Sequence, residues 1–317
     1  MDNDSYLKFC EKNLSENIKS GIFVDRENII SLVYLIRNLR DDYLYALFIN
    51  PSPTLEEHIE DIKKFLQINR DKVVLFCSDV CLSGLLSIGI EPDYVVSLDI
   101  SDKTVRYLIG HNFKYNLVCP TFFPIYRVLE NVNNVYVFNS VEENEYFRIP
   151  NLNSSPEKLP EIMSKYYTEG IRKSEVVNSL LREAKIYKRY PSLLARGTVF
   201  ITMYQIECRI KLYAGFYGSS LTVKKNKPYA SFISEANYYH ISKVDPSFKE
   251  LVPSVEEYNR RVLLSYFNND ESLMNTYFSD VDGDTYVQPP VLKFYQDLLR
   301  TYSMLDELPR NKTVIFR

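Results

Sequence analysis

Between residues 44 and 138 the chain repeats one pattern five times: a short apolar run of strand length, then a polar stretch with helical spacing. The runs lie at 44–49, 73–77, 94–98, 115–119 and 135–138. Runs without polar alternation belong to strands covered on both faces, and parallel strands need crossovers of a dozen residues or more. The spacing therefore predicts an α/β fold with a mostly parallel sheet, its crossover helices at about 54–68, 80–88, 102–110 and 122–131.

Helical segments flank this core. Residues 5–42 carry apolar positions for two helices, Leu7, Phe9, Cys10 and Leu14 in the first and Ile29, Ile30, Leu32, Val33, Leu35, Ile36 and Leu39 in the second. Around 150–160 the residues Asn151, Asn153, Ser154, Ser155, Pro156 and Pro160 mark a loop before a helical stretch at about 161–188. Gly197, Thr198 and Val199 open a long apolar helix reaching about Tyr213, and Gly215, Gly218 and a strand-like 221–223 follow. Beyond Lys224 the pattern is aromatic and charged, with helices near 247–268 and 288–304. The expected organisation is a helical cap at 1–43, a core at 44–223 with an insertion or lid at 150–190, and a mainly helical extension at 224–317.

Composition narrows the function classes. The chain has 38 Lys and Arg against 41 Asp and Glu, a balance that offers no polybasic surface for nucleic acid. No apolar run reaches the roughly 20 residues of a membrane helix, and the polar start at Asp2, Asn3, Asp4 and Ser5 is unlike a signal peptide. A cytoplasmic protein is expected. Five cysteines, mostly inside apolar runs, suit reduced core thiols, and three scattered histidines argue against a His-rich metal centre or a Ser-His-Asp hydrolase. The acidic stretch from Asp280 to Asp284 lacks the twelfth-position carboxylate of a calcium loop and is taken as a solvated turn. Lys224, Lys225 and Lys227 are taken as a basic turn, and Tyr239 and His240 as surface residues.

In an open parallel sheet, ligands bind beyond the carboxyl ends of the strands. The residues arriving there are Asn50, Pro51, Ser52, Pro53 and Thr54 after the first run, Ser78 and Asp79 after the second, Asp99, Ile100, Ser101 and Asp102 after the third, and Pro120 and Thr121 after the fourth. Asp79 and Asp99 have two readings: Mg²⁺ ligands, since that ion takes one or two carboxylates plus phosphate oxygens and water, or helix N-caps. No Gly-x-Gly-x-x-Gly and no Walker A sequence occurs, so neither a standard dinucleotide site nor a P-loop is encoded.

Three segments resemble the MptE-like 6-hydroxymethylpterin diphosphokinase family. Residues 46–55, with Asn50-Pro51-Ser52-Pro53-Thr54, are similar to its Gly-Pro-Ser-Leu loop. Residues 73–99, with Ser78-Asp79, Gly89-Ile90-Glu91-Pro92-Asp93 and Ser97-Leu98-Asp99, are similar to its most distinctive block. Arg196-Gly197-Thr198-Val199 with Gly215 and Gly218 resembles its Gly-rich helix start and following strand. Two departures stand out: Asn50 and Pro53 where the family favours glycine and no second proline, and Ser219-Ser220 where an acidic residue is common.

The resemblance implies a Rossmann-like fold and Mg²⁺-dependent transfer of pyrophosphate from ATP, as co-substrate, to a hydroxymethyl pterin. It also implies kinship with motility-associated glycosyltransferases that use CMP-activated nonulosonic acids, and it leaves room for a divergent, non-catalytic nucleotide-binding or interaction protein. Carried over residue by residue, Asp99 and Asp79 are the catalytic and metal-binding candidates. Asn50, Ser52, Ser78, Thr121, Gly197 and Thr198 are the nucleotide-binding ones. The general base and the oligomeric state, a homo-oligomer included, stay open.

Overall fold

The computed structural model describes residues 3–24, 26–141, 179–186, 189–194, 198–293 and 314–316. Their nine strands form a Rossmann-like parallel sheet: β1 (Ile29–Ser31), β2 (Tyr45–Ile49), β3 (Val73–Ser78), β4 (Tyr94–Val96), β5 (Tyr115–Pro120), β6 (Val132–Val141), β7 (Ser192–Leu194), β8 (Tyr213–Tyr217) and β9 (Val314–Phe316). The spatial order is β1-β6-β5-β4-β3-β2-β8-β9, with β7 attached to β6 and every strand pair parallel.

Helices cover both faces, as fully apolar parallel strands require. One face packs under α1 (Asn3–Lys19), α3 (Ile59–Asn69), α4 (Leu82–Ser87), α5 (Asp102–Leu108) and α7 (Ser231–Val244). The other packs under α2 (Leu32–Asp42) and α6 (Val199–Ile210). On this second face Phe48 stacks between Phe216 at 4.6 Å and Phe76 at 4.9 Å, and Phe76 stacks on Tyr94 at 5.0 Å. This ladder crosses β8, β2, β3 and β4, each contact worth about 0.5–1.5 kcal/mol beyond area burial. On the first face, α4 and α7 meet so closely that a Cβ on Gly84 would lie 2.8 Å from the Ile233 Cα.

Residues 231–293 form a helical region around α7, α8 (Phe248–Leu251), α9 (Val255–Ser265) and α10 (Glu271–Phe278). Leu263, Phe267, Met274, Phe278 and Leu292 make a small apolar cluster of its own with Val223. Among the described residues no helix is long and apolar enough to cross a membrane.

Several expected elements differ. Ile29 and Ile30 are not helical: they pair with Val135 and Tyr136 as β1, an edge strand that suits β-branched side chains, and α2 starts at Leu32. Residues 122–131 form no α-helix but two 3-10 turns, Ile125–Arg127 and Leu129–Asn131, because Pro120 and Pro124 restrict the backbone while Phe122, Phe123, Ile125 and Val128 sink into the core. The apolar helix stops at Ile210, where Lys211 is left-handed at φ 58°, so the strand is Tyr213–Tyr217 and not 221–223. Val223 makes an isolated antiparallel bridge to Val287 instead. Helix α7 falls where none was expected. The insertion at 150–178 and residues 294–304 of the last expected helix lie outside the described residues.

Candidate functional site

All strands point their carboxyl ends to one edge, and β2 sits at the turning point of the order. From β2 the chain proceeds through α3 to β3 on one side and one face; β8 reaches the other side of β2 from α6 on the opposite face. Loops leaving such neighbours diverge and open a crevice. The loop after β2 and the segment after β8 are stitched together there: Asn50 N donates to Tyr217 O at 2.8 Å and Ser52 N to Gly218 O at 3.1 Å. Gly218 has φ +64°, and a Cβ on it would lie 2.0 Å from the Asn50 carbonyl oxygen, so only glycine lets the two chains approach.

The side chains of this junction form a hydroxyl cradle. Asn50 Nδ2 donates to Ser219 Oγ at 2.9 Å. Ser52 Oγ lies 2.7 Å from Ser220 Oγ and 3.2 Å from Thr222 Oγ1, and it donates to Thr222 O at 3.1 Å. Thr54 Oγ1 is 3.1 Å from Ser220 Oγ, which is 2.7 Å from Thr222 Oγ1. Ser52 therefore turns away from its helix and makes no side-chain cap. The two departures seen in the sequence are one structural feature, since Asn50 and the serines that stand in place of an acid bond to each other. Glu56 and Glu57 are committed elsewhere, Glu56 accepting from Ser231 N at the start of α7 and Glu57 from the Tyr286 hydroxyl.

Asp79 and Asp99 arrive beside this cradle from β3 and β4, with opposite environments. Asp79 is buried: Oδ2 accepts from the Ser97 hydroxyl at 2.6 Å and Oδ1 from Val80 N at 2.8 Å. Burial pushes its pKa up to about 6, against the pull of those hydrogen bonds, and the Asp99 charge adds to the rise. Asp99 is exposed, with Oδ1 accepting from Ser101 N at 2.8 Å as the chain turns into α5. Among the described residues no group of three or more His, Cys, Asp or Glu side chains could hold a metal. Asp99, exposed and with one oxygen turned to no protein donor, fits a single-carboxylate Mg²⁺ site completed by phosphates and water. Asp79, with both oxygens occupied by the protein, does not fit as a second ligand.

The remaining expected site residues are dispersed. Ser78 points inward, its hydroxyl donating to Cys81 Sγ at 3.2 Å. Thr121 is fully buried, and its carbonyl accepts from Asn17 Nδ2 of α1 at 3.1 Å. Helix α1 lies over the carboxyl ends of β4 and β5, Asn13 Nδ2 also donating to Ile100 O at 2.9 Å. Thr198 caps α6, its Oγ1 accepting from Phe200 N at 3.0 Å, while Gly197 lies outside the described residues. Within the distinctive 73–99 block, Asp93 is structural: it accepts from Leu75 N at 2.8 Å and takes a two-pronged Arg70 at 2.7 and 3.0 Å. The partners missed by sequence reasoning, Ser97, Ser220 and Thr222, are small polar residues just past strand ends, and that position was the only signal available.

Residues 27–181 match the family model described as 6-hydroxymethylpterin diphosphokinase MptE-like. Among solved structures, the MAf glycosyltransferase from Magnetospirillum magneticum AMB-1 is similar at 16% identity and a TM-score of 0.36, over 65% of this chain. The chain spans 30% of that protein's length. No curated protein matches.

Proposed function

From the premise that residues 27–181 are an MptE-like domain, we propose that this protein binds a nucleotide at the β2/β8 edge and transfers a group from it to an acceptor hydroxyl. The reaction is pyrophosphate transfer from ATP to a hydroxymethyl pterin, with Mg²⁺. The supporting observation is the hydroxyl cradle at the sheet's turning point, with an exposed acid one strand further on.

The chemistry is mostly positioning. Ser52, Ser220 and Thr222 exchange hydrogen bonds among themselves and can turn them toward phosphate oxygens. Helix α6 starts at the same edge and adds its N-terminal partial charge. Mg²⁺, held by Asp99 with phosphates and water, would neutralise charge on the phosphates. The acceptor oxygen attacks the β-phosphorus, the bond to the α-phosphate oxygen breaks and AMP leaves. The acceptor proton passes to Asp79, whose pKa of about 6 suits a proton acceptor near neutrality.

Turnover of ATP with 6-hydroxymethyl-7,8-dihydropterin tests this reading. AMP release that requires both the pterin and Mg²⁺, and that Asp99→Asn abolishes, is expected. CMP or CTP binding in preference to ATP would replace it with the glycosyl-transfer reading.

A further inference from the structure

Next to Asp79, on the face covered by α7 and α9, four tyrosine hydroxyls converge. Asn237 Nδ2 of α7 donates to Val80 O at 2.9 Å, adjacent to Asp79, and also to the Tyr258 oxygen. The Tyr258 and Tyr107 hydroxyls lie 3.1 Å apart, and Tyr229 bonds to Tyr266. Tyr107 stands near the end of α5, and helical side chains lean toward the helix N-terminus, which returns its hydroxyl toward Asp99 and the carboxyl edge.

The direction of these bonds matters. Asn237 can only donate through its amide nitrogen, so the Tyr258 oxygen accepts and its O–H passes on to Tyr107. The Tyr229 O–H likewise passes to Tyr266. Each chain thus ends on a phenolic O–H, one on Tyr107 and one on Tyr266, for which the described residues show no acceptor. Tyr107, Tyr229 and Tyr266 keep solvent-accessible surface even though burial raises the pKa of each, so they line a recess and not solid core. Among the described residues, the rings of these three stack on no other ring.

The chemistry of the lining selects a ligand. Two O–H donors call for acceptors, Asp79 and Asp99 call for donors, and free ring faces favour a flat partner. Two neighbouring acids disfavour an anion. We propose that the recess of Tyr107, Tyr229, Tyr258 and Tyr266 beside Asp79 and Asp99 is the acceptor subsite, built for a neutral heterocycle that carries hydrogen-bond acceptors and donors along its edge. Tyr107 and Tyr266 are its specificity-determining donors. This rests on the transfer reading above and adds the residues that choose the acceptor.

The test is titration of 6-hydroxymethylpterin, and separately of ATP, into the wild-type protein and the Tyr107→Phe and Tyr266→Phe variants. Pterin affinity is expected to fall about tenfold in each variant with ATP affinity unchanged. A 2,4-diamino analogue, which lacks the ring carbonyl, is expected to bind the wild-type protein more weakly than the pterin, a comparison that needs no variant. Pterin affinity equal in all three proteins, or analogue and pterin binding equally, would overturn the inference. ATP binding without pterin binding would overturn it and leave the nucleotide site standing; failure of both ligands would overturn the transfer reading itself.

Discussion

Asn50 and Ser219 are joined side chain to side chain, the Asn50 amide donating to the Ser219 hydroxyl at 2.9 Å across the β2/β8 junction. A glycine at 50 could not make this bond, and an acid in the Ser219-Ser220 pair would place a charge in a cluster that is neutral and internally satisfied. The two positions are therefore read as a matched pair, and the cradle they help to close is assembled from hydroxyls.

Gly218 should be the least replaceable residue of this junction. Gly218→Ala puts a Cβ into the Asn50 carbonyl at a left-handed φ of +64°, whereas Gly89→Ala, at φ +78°, meets nothing within 4 Å. The strain shared by both is about 1–2 kcal/mol. Thermal unfolding is expected to show Gly218→Ala losing clearly more stability than Gly89→Ala; equal losses would mean that the junction yields without cost.

Asp79 should trade stability for function. Its folded pKa of about 6 lies above the usual carboxylate value, so the fold gains stability as pH falls from 6 toward 4 and carries the cost of the ionised, buried group above 6. A shift of that size corresponds to roughly 2–3 kcal/mol. Asp79→Asn is expected to be inactive yet more stable than wild type at pH 8, the advantage fading toward pH 5. Greater stability of the wild type at pH 8 would contradict the assignment.

His111 and His240 stack at 4.0 Å with nearly coplanar rings, each ring Nε2 bonded to a backbone carbonyl, at Tyr107 and Ile109. Burial lowers both pKa values, that of His240 to about 4, with the neighbouring His111 and Lys243 charges acting in the same direction. The unfolded chain then binds protons first, and stability falls as pH drops from 6.5 toward 4. His240→Gln is expected to flatten this acid limb without altering stability at pH 8 by a comparable amount, as read from denaturation midpoints across pH.

Thr198 should act through its cap. Thr198→Ala leaves Phe200 N without its side-chain acceptor and is expected to cost about 1 kcal/mol in denaturant unfolding. Thr198→Ser, which keeps the hydroxyl, should recover most of it.

Much of the sheet was legible because β2, β3 and β5 are unbroken apolar runs between polar crossovers. β8 was not, since Tyr-Ala-Gly-Phe-Tyr carries a glycine, and its place beside β2 comes from long-range pairing that no local pattern encodes. Helix α7 escaped because its polar residues, Asn237 among them, are buried by bonds to distant backbone. For the site, position at strand ends identified Asn50, Ser52, Asp79 and Asp99. It could not tell the buried Asp79 from the exposed Asp99, nor show that α1 covers Thr121, because burial depends on which helix lies across each strand end.

The most direct test of the central claim is calorimetric titration of ATP, with and without Mg²⁺, into the wild-type protein and a Ser52→Ala/Ser220→Ala double variant. The cradle account predicts ATP binding to the wild type and at least a tenfold loss of affinity in the folded double variant. Undiminished ATP affinity in that variant would contradict it and remove the β2/β8 edge as the nucleotide site.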